Sequence, residues 1–557
     1  MPSLNMTMGI IRPSGTEDCP GTVLLFERAD NEQSYHSGAK HDPKDPSIIL
    51  DPQPSDDPND PLKNWSIRRK DLLYLTIFVN TVILAAVPGP VFASSTAVMS
   101  KSLGVSLDNV ALLSGYQLLV VGLYGPFCSA LARKYGKRPQ YLFGCTMALI
   151  GTIICVAAGS NYTTLLAGRI IQGFGTTAFE SLSLAAIGDV YFVHERGIRT
   201  GVMAIALTCL SSMVNIIGGP ITQTLGWRYM LIIQLPFVAA AWILTFFFIP
   251  ETQFRRSVGN LEHTEMPVQN TDSKEKTEEG SEVYQEENVD EQQTTHPSTS
   301  VAKRTYVQNL AIFSGTYTDT AAWKLIAAPF VVLHNPSVIW SLGMTGIVVA
   351  LWVSLAYVFA QLWSASPYNL NAAQNGYFYV GAMAGGMIGG LGSAWVTDLI
   401  TKIMVRINRG IYEPEFRILT QVISGTFMAL GYFVFVWLFE HPFPTGYFLG
   451  SFLHGCICLG ITVSTVSASL YMLDAHASET TEIFSLQMIF KNLLFFGFSH
   501  FVNSWAAKDG AQSIFRTYGI VAVCLTATSI PMYIFGKRNR LFIHKLGVLR
   551  RFYTGKE

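Results

Sequence analysis

Three ionisable side chains, Arg169, Glu180 and Lys491, stand inside stretches of this chain that are otherwise apolar. At mid-depth in a bilayer such a group costs roughly 2.5–3.5 kcal/mol on insertion scales, so each is a candidate for function. Arg169 and Glu180 are eleven residues apart, about three helical turns, which places both on one face of a helix. Their separation of about 16 Å along the axis forbids a salt bridge between them. A buried carboxylate favours its neutral form, so a proton and a cationic substrate would compete for Glu180. The plainer alternative is a carboxylate pinned by a neighbouring helix. Lys491, next to Asn492, would repel a cation unless an acid shields it, and a structural pairing with Glu482 or Asp474 is expected. Asn80, Gln117, Asn215, Gln361, Tyr357 and Trp352 are candidate cavity-lining groups, although polar side chains also join helices to one another. Pro88-Gly89-Pro90 must interrupt a helical hydrogen-bond ladder, and either lines a cavity or only kinks the chain.

The elements that position these residues are legible in the charge pattern. Of 557 residues 50% are hydrophobic and 14% charged, well below the roughly 25% charged of a soluble domain. Lys plus Arg (38) balance Asp plus Glu (38), so no whole-protein basic field points to nucleic acid. Eight cysteines without ligand spacing exclude a disulfide scaffold or a zinc module. Charge-free runs recur along the chain at lengths that can cross a hydrocarbon core of about 30 Å. They place twelve transmembrane helices near 72–97, 109–131, 140–160, 164–188, 200–223, 229–249, 336–362, 373–397, 417–439, 445–470, 481–505 and 513–535. The expected fold class is therefore an all-α polytopic membrane protein built as two six-helix bundles, residues 71–250 and 334–538. Gly381, Gly385, Gly386 and Gly389 would allow close contact between neighbouring helices.

Basic residues gather on alternate loops: Arg68, Arg69 and Lys70; Arg133, Lys134, Lys137 and Arg138; Arg196 and Arg199; Lys402, Arg406 and Arg409; and Lys537, Arg538 and Arg540. The positive-inside rule then makes both termini cytoplasmic. Residues 1–70 read as a disordered tail, 251–333 as an acidic cytoplasmic linker and 539–557 as a second tail. The sequon at Asn161 falls in a short outside loop, close against the membrane.

Several motifs carry a family resemblance. Ala130 to Pro139 resembles the G-x-L-a-D-r-x-G-r-k loop of the major facilitator superfamily, with Gly136 and Arg138 matching. Alanine replaces its first glycine, and Arg133 stands where the family has aspartate, so this copy of the family's latch lacks its acid. Gly392, Asp398, Arg406, Asn408, Arg409 and Gly410 resemble a second copy with the aspartate kept. Asp57 to Ser66, Arg169-Ile170-Ile171-Gln172-Gly173, Gly218-Gly219-Pro220, Gly226-Trp227-Arg228 and Pro250-Glu251-Thr252 are similar to motifs of the fungal twelve-span drug:proton antiporters, and of their polyamine and organic-cation subgroup. The resemblance implies proton coupling or gating for Arg169, a gating role for the loops, and a monomer in the plasma membrane.

The chain then reads as a secondary transporter for small organic molecules, drug-like compounds, organic cations or polyamines, with protons and membrane lipid as its other partners. A non-transporting nutrient sensor on the same fold is the alternative. No phosphate-binding G-x-x-x-x-G-K-[ST] run occurs, so no nucleotide, cofactor or metal is expected and the driving force is an ion gradient. No paired acids, His cluster or nucleophile motif stand at one membrane depth, which speaks against an enzyme.

Overall fold

The computed structural model describes residues 60–192, 195, 199, 201–203, 206–254 and 305–554, with 6, 7, 9–11, 19, 21–24 and 57 of the N-terminal tail. Arg196 and most of the acidic linker lie outside the described residues. Helices dominate, because a chain this apolar must satisfy its backbone within each segment. Before residue 255 come α1 (Ile67–Thr81), α2 (Leu107–Tyr135), α3 (Lys137–Ala157), α4 (Tyr162–Val190), α5 (Ser211–Thr224) and α6 (Arg228–Phe248). After it come α7 (Pro336–Ser364), α8 (Val380–Ile407), α9 (Pro414–Glu440), α10 (Gly446–Ala475), α11 (Thr480–Ser499), α12 (Val502–Ala527) and α13 (Ser529–Leu546).

Among the described residues seven helices are long and apolar enough to cross a membrane: α2, α3, α6, α7, α9, α10 and the run Val502–Thr554 that begins with α12. Helices α4, α8 and α11 are as long, but carry the ionisable and glycine-rich sequence that lowers their apolarity. Large apolar side chains such as Leu391, Trp395, Val422 and Phe452 face outward, as a hydrocarbon solvent requires.

Local sequence explains the helix ends. The side chains of Ser66, Ser106 and Asn161 accept from the N–H groups of Arg69, Asn109 and Thr164 and cap α1, α2 and α4. Helix α1 loosens into a π-turn at Val82–Ala86 and stops before Pro88, and helix resumes with a 3-10 turn at Ala93–Ser95 that leads into a short α-helix from Thr96. Gly136, at φ +102°, makes the sharp break between α2 and α3. Helices α8 and α10 lie so close that a Cβ at Gly385 would overlap the Gly455 backbone.

Three segments differ from the sequence expectation. The described part of the N-terminal tail is ordered: β1 (Met6–Thr7) pairs with β2 (Ile10–Ile11), and β3 (Val23–Leu24) pairs antiparallel with β4 (Ile411–Tyr412). Ile10 is buried against Val405, Tyr412 and Phe416, Thr22 donates to Glu413 at 2.7 Å, and Cys19 Sγ lies 3.8 Å from the Lys537 carbonyl. The end of the linker also packs, because Leu325, Ala328 and Val332 form an apolar stripe that enters the core. Beyond 538, α13 runs on to Leu546 and a short helix follows at Val548–Thr554, with Arg540 and Leu549 buried. In each case a few apolar or paired residues inside a polar stretch decide the outcome.

Candidate functional site

One buried apolar cluster joins the two parts of the chain, with Phe92, Val110, Leu113 and Trp227 from the first and Leu351, Leu355, Phe378 and Phe495 from the second. Between the parts runs a seam whose polar contacts fall into three layers along α2.

The first layer is neutral on its surface. Arg169 is fully buried; its Nη2 donates to the Pro88 carbonyl at 2.6 Å and to Ser114 Oγ at 3.0 Å, its Nη1 to Gln172 Oε1 at 3.0 Å and its Nε to the Leu113 carbonyl at 3.4 Å. The guanidinium also lies 4.9 Å from the Phe92 ring centroid. These partners are carbonyls, a hydroxyl, an amide and a ring, so Arg169 splints the broken first segment onto α2 and α4. Ser114 donates to the Gly89 carbonyl at 2.9 Å. From the second part, the Tyr357 hydroxyl reaches the same carbonyl at 2.8 Å and touches Ser114 Oγ.

Around this layer the parts meet backbone to backbone. A Cβ on Gly219 would stand 2.5 Å from the Ala372 carbonyl oxygen, and one on Gly376 2.5 Å from that of Asn215. Asn215 accepts from the Ser94 N–H at 3.1 Å, and Asp108 accepts from the N–H groups of Asn503 at 2.9 Å and Ser504 at 3.1 Å. Gln361 donates to the Asn503 carbonyl at 3.3 Å.

The middle layer holds charge. Lys491 Nζ sits 2.5 Å from Glu180 Oε1, so the pairing expected with Glu482 or Asp474 is replaced by one with Glu180. The contact lies off hydrogen-bond geometry at Oε1, which makes charge, rather than a directed bond, its binding force. Asn492 is buried beside it. Gln117 donates to Thr176 Oγ1 at 2.9 Å and Asn80 to Thr245 Oγ1 at 2.8 Å, so both of these lining candidates join helices within the first part. Trp352 donates to His454 Nε2 at 3.0 Å within the second.

The third layer is a band of ion pairs. Arg133 Nη1 bonds Glu482 Oε1 at 2.7 Å across the seam, and the Tyr553 hydroxyl donates to the same oxygen at 2.8 Å. Sequence reasoning missed Glu482 as the partner of Arg133. The signal was present, since an arginine in place of the family's aspartate calls for an acid on the facing helix. Behind it, Lys137 pairs with Asp189 at 2.5 Å, and Glu251 accepts from the N–H groups of Lys137 at 2.9 Å and Arg138 at 3.1 Å. Burial pushes the Glu251 carboxyl above the ordinary range, against the pull of its backbone donors. The Arg138 side chain donates to the Phe246 and Ile249 carbonyls. In the second part Arg417 joins Asp398 at 3.2 Å and Asp474 at 2.5 Å, while Arg406 is exposed. Arg540 ties Glu413 and Glu415, each at 2.9 Å. Asn161 is exposed and serves as the α4 cap.

Helix geometry sets the spacing of the layers. Ser114 and Arg133 are nineteen residues apart on α2, about 28 Å at ~1.5 Å per residue. Glu180 lies eleven residues beyond Arg169 on α4, and Lys491 nine beyond Glu482 on α11, so the pair stands about 16 Å from one end and about 13 Å from the other. Among the described residues no group of His, Cys, Asp and Glu is placed to hold a metal ion.

A helical membrane protein whose two parts close on each other at both ends, with charge held between, has the form of a transporter rather than an enzyme. Comparison with known proteins agrees. The chain belongs to the Major Facilitator Superfamily, whose model matches residues 55–499. It is 25% identical to an uncharacterized MFS-type transporter of Schizosaccharomyces pombe, over 96% of this chain and 95% of that protein. It is 23% identical to Protein HOL1 of Saccharomyces cerevisiae, over 94% and 95% respectively. A shorter match, 25% identical over 32% of this chain and 26% of the relative, is to the MFS antiporter QDR3 of Candida albicans.

Proposed function

We propose that this protein is a proton-coupled secondary transporter that moves small organic molecules, drug-like compounds, organic cations or polyamines, by alternating access. In this reading twelve spans form two six-helix bundles, residues 71–250 and 334–538, with the linker and both termini in the cytoplasm and a monomer in the plasma membrane. The observation that carries it is the Glu180–Lys491 pair, which bridges the two parts at 2.5 Å, about midway between two closures. Opening one closure while the other holds would expose this pair to each side in turn. Glu180 is the proton or cation site. Arg169, saturated by backbone and hydroxyl partners, acts on gating by holding the broken first span, and Tyr357 and Arg133 close the two ends. The match to a relative named an antiporter supports exchange of one solute for another.

The test is flux in liposomes with an imposed pH gradient and a panel of polyamines, organic cations and neutral drugs. Substrate-triggered proton movement, lost in Glu180→Gln with the protein still folded and inserted, is the expected result. Proton movement untouched by Glu180→Gln removes the coupling role. Silence across the panel, with tight binding of one compound, assigns the protein to sensing instead.

A further inference from the structure

The carboxylates of the seam are held very differently. Glu482 receives directed hydrogen bonds from Arg133 and Tyr553, and Glu251 from backbone N–H groups. Glu180 has, among the described residues, one partner, the Lys491 ammonium, and that contact is not a directed hydrogen bond. The acid is the more buried member of the pair, with its side chain 14% exposed against 34% for Lys491. An ammonium on a flexible four-carbon stem is a compact, strongly hydrated point charge, able to leave one anion for water without breaking any packed structure.

We propose that Lys491 is a tethered stand-in for the substrate, its ammonium occupying the subsite into which a transported primary or secondary ammonium group must enter. The inference rests on the transporter reading of the same site and adds the substrate's chemistry. The incoming N–H-bearing cation replaces one N⁺···O⁻ contact by another, and Lys491 swings toward the side on which it is already exposed. At this subsite one cation takes the place of another, so the carboxylate is never left buried without a partner during the exchange. A quaternary ammonium, which has no N–H and a wider head, is excluded from a 2.5 Å approach to the carboxylate. A neutral molecule gains nothing from the exchange. A tethered competitor that holds the carboxylate nine-tenths of the time weakens apparent affinity about tenfold.

The experiment uses the full chain in lipid nanodiscs with spermidine and its fully N-methylated quaternary analogue as probes, read by calorimetry. Lys491→Met is expected to bind spermidine about tenfold more tightly than the unaltered protein, with the quaternary probe unimproved. Lys491→Met combined with Glu180→Gln is expected to lose that gain, and Lys491→Arg to bind more weakly. Equal or weaker spermidine binding by Lys491→Met overturns the proposal. A second measurement needs no variant: spermidine should increase acylation of Lys491 by an amine-reactive reagent, read by mass spectrometry, because the displaced amine enters water. Unchanged or reduced labelling also overturns it. Flux in liposomes separates the two readings. Transport of neutral drugs without the spermidine effects leaves the transporter standing and removes the stand-in. Displacement of Lys491 without flux of any probe retains the subsite and removes the transporter.

Discussion

The two ends of the seam are closed by opposite means. At the Gly89 end the parts meet mostly through glycine, backbone groups and hydroxyls, with Tyr357 laid on Gly89, Gly219 against Gly376, and one carboxylate, Asp108, held by the N–H groups of Asn503 and Ser504. At the Arg133 end they meet through ionised side chains, Arg133 to Glu482, with a band of further pairs behind. The first kind of contact depends on shape: backbones fit or they do not, and one added methyl decides. The second depends on charge, reaches further, and can be undone by protonation or salt. On the proposed alternating access, one closure would respond to geometry and the other to the medium.

The largest effect expected is at the shape-dependent end. Gly376→Val pushes a side chain into the Asn215 carbonyl, and flux should fall by about a hundredfold, roughly 2.7 kcal/mol of lost closure. A cysteine placed at Ser114 should then label with an impermeant maleimide that does not reach it in the unaltered protein; full protection in Gly376→Val would erase the distinction between the ends. Arg133→Glu comes next. Facing Glu482 it creates repulsion, and flux should drop on the order of tenfold, restored by the exchange Arg133→Glu with Glu482→Arg. No rescue in the double variant would show that the pair is not what holds that end.

A smaller loss is expected for Tyr357→Phe, which removes one hydroxyl from the Gly89 carbonyl and should cost about 1 kcal/mol, or fivefold in flux, with no added dependence on salt. The last concerns pH and is read in stability rather than flux. Burial, with the charges of Arg540 and His334, lowers the His476 imidazole from 6.5 to about 4. The unfolded chain therefore takes up this proton first, so stability contributed by the neutral ring is full above pH 6.5, is lost as pH falls toward 4, and levels off below. His476→Gln should flatten thermal stability over that window by at most one proton's slope, ~1.4 kcal/mol per pH unit. An unaltered slope would locate the acid sensitivity elsewhere in the band.

Much of the helical frame was legible because long charge-free runs have few alternatives, and Pro88-Gly89-Pro90 announced the break in the first segment. The glycines of α8 likewise announced a close neighbour, though not that it would be α10. The pairing of charges was not legible. Arg133 and Glu482 are 349 residues apart, and Lys491 is as far in sequence from Glu180 as it is near in space. Spacing along one helix says which residues share a face, but not which face of another helix will meet it. For that reason Lys491 was assigned to acids on its own side, and the Thr245 and Thr176 partners of Asn80 and Gln117 were not named. The strands at Met6–Thr7, Ile10–Ile11 and Val23–Leu24 were hidden for a different reason: two-residue strands and a single buried isoleucine are too short to leave a periodic trace.

That N-terminal clasp has a consequence in time. Thr22 grips Glu413, 391 residues downstream, and Cys19 meets the carbonyl of Lys537, 518 residues downstream. At translation speeds of about 5–20 residues per second, the tail leaves the ribosome roughly half a minute to two minutes before its docking surface has been made. These early residues find their place late, and the clasp closes only once α13 has been made.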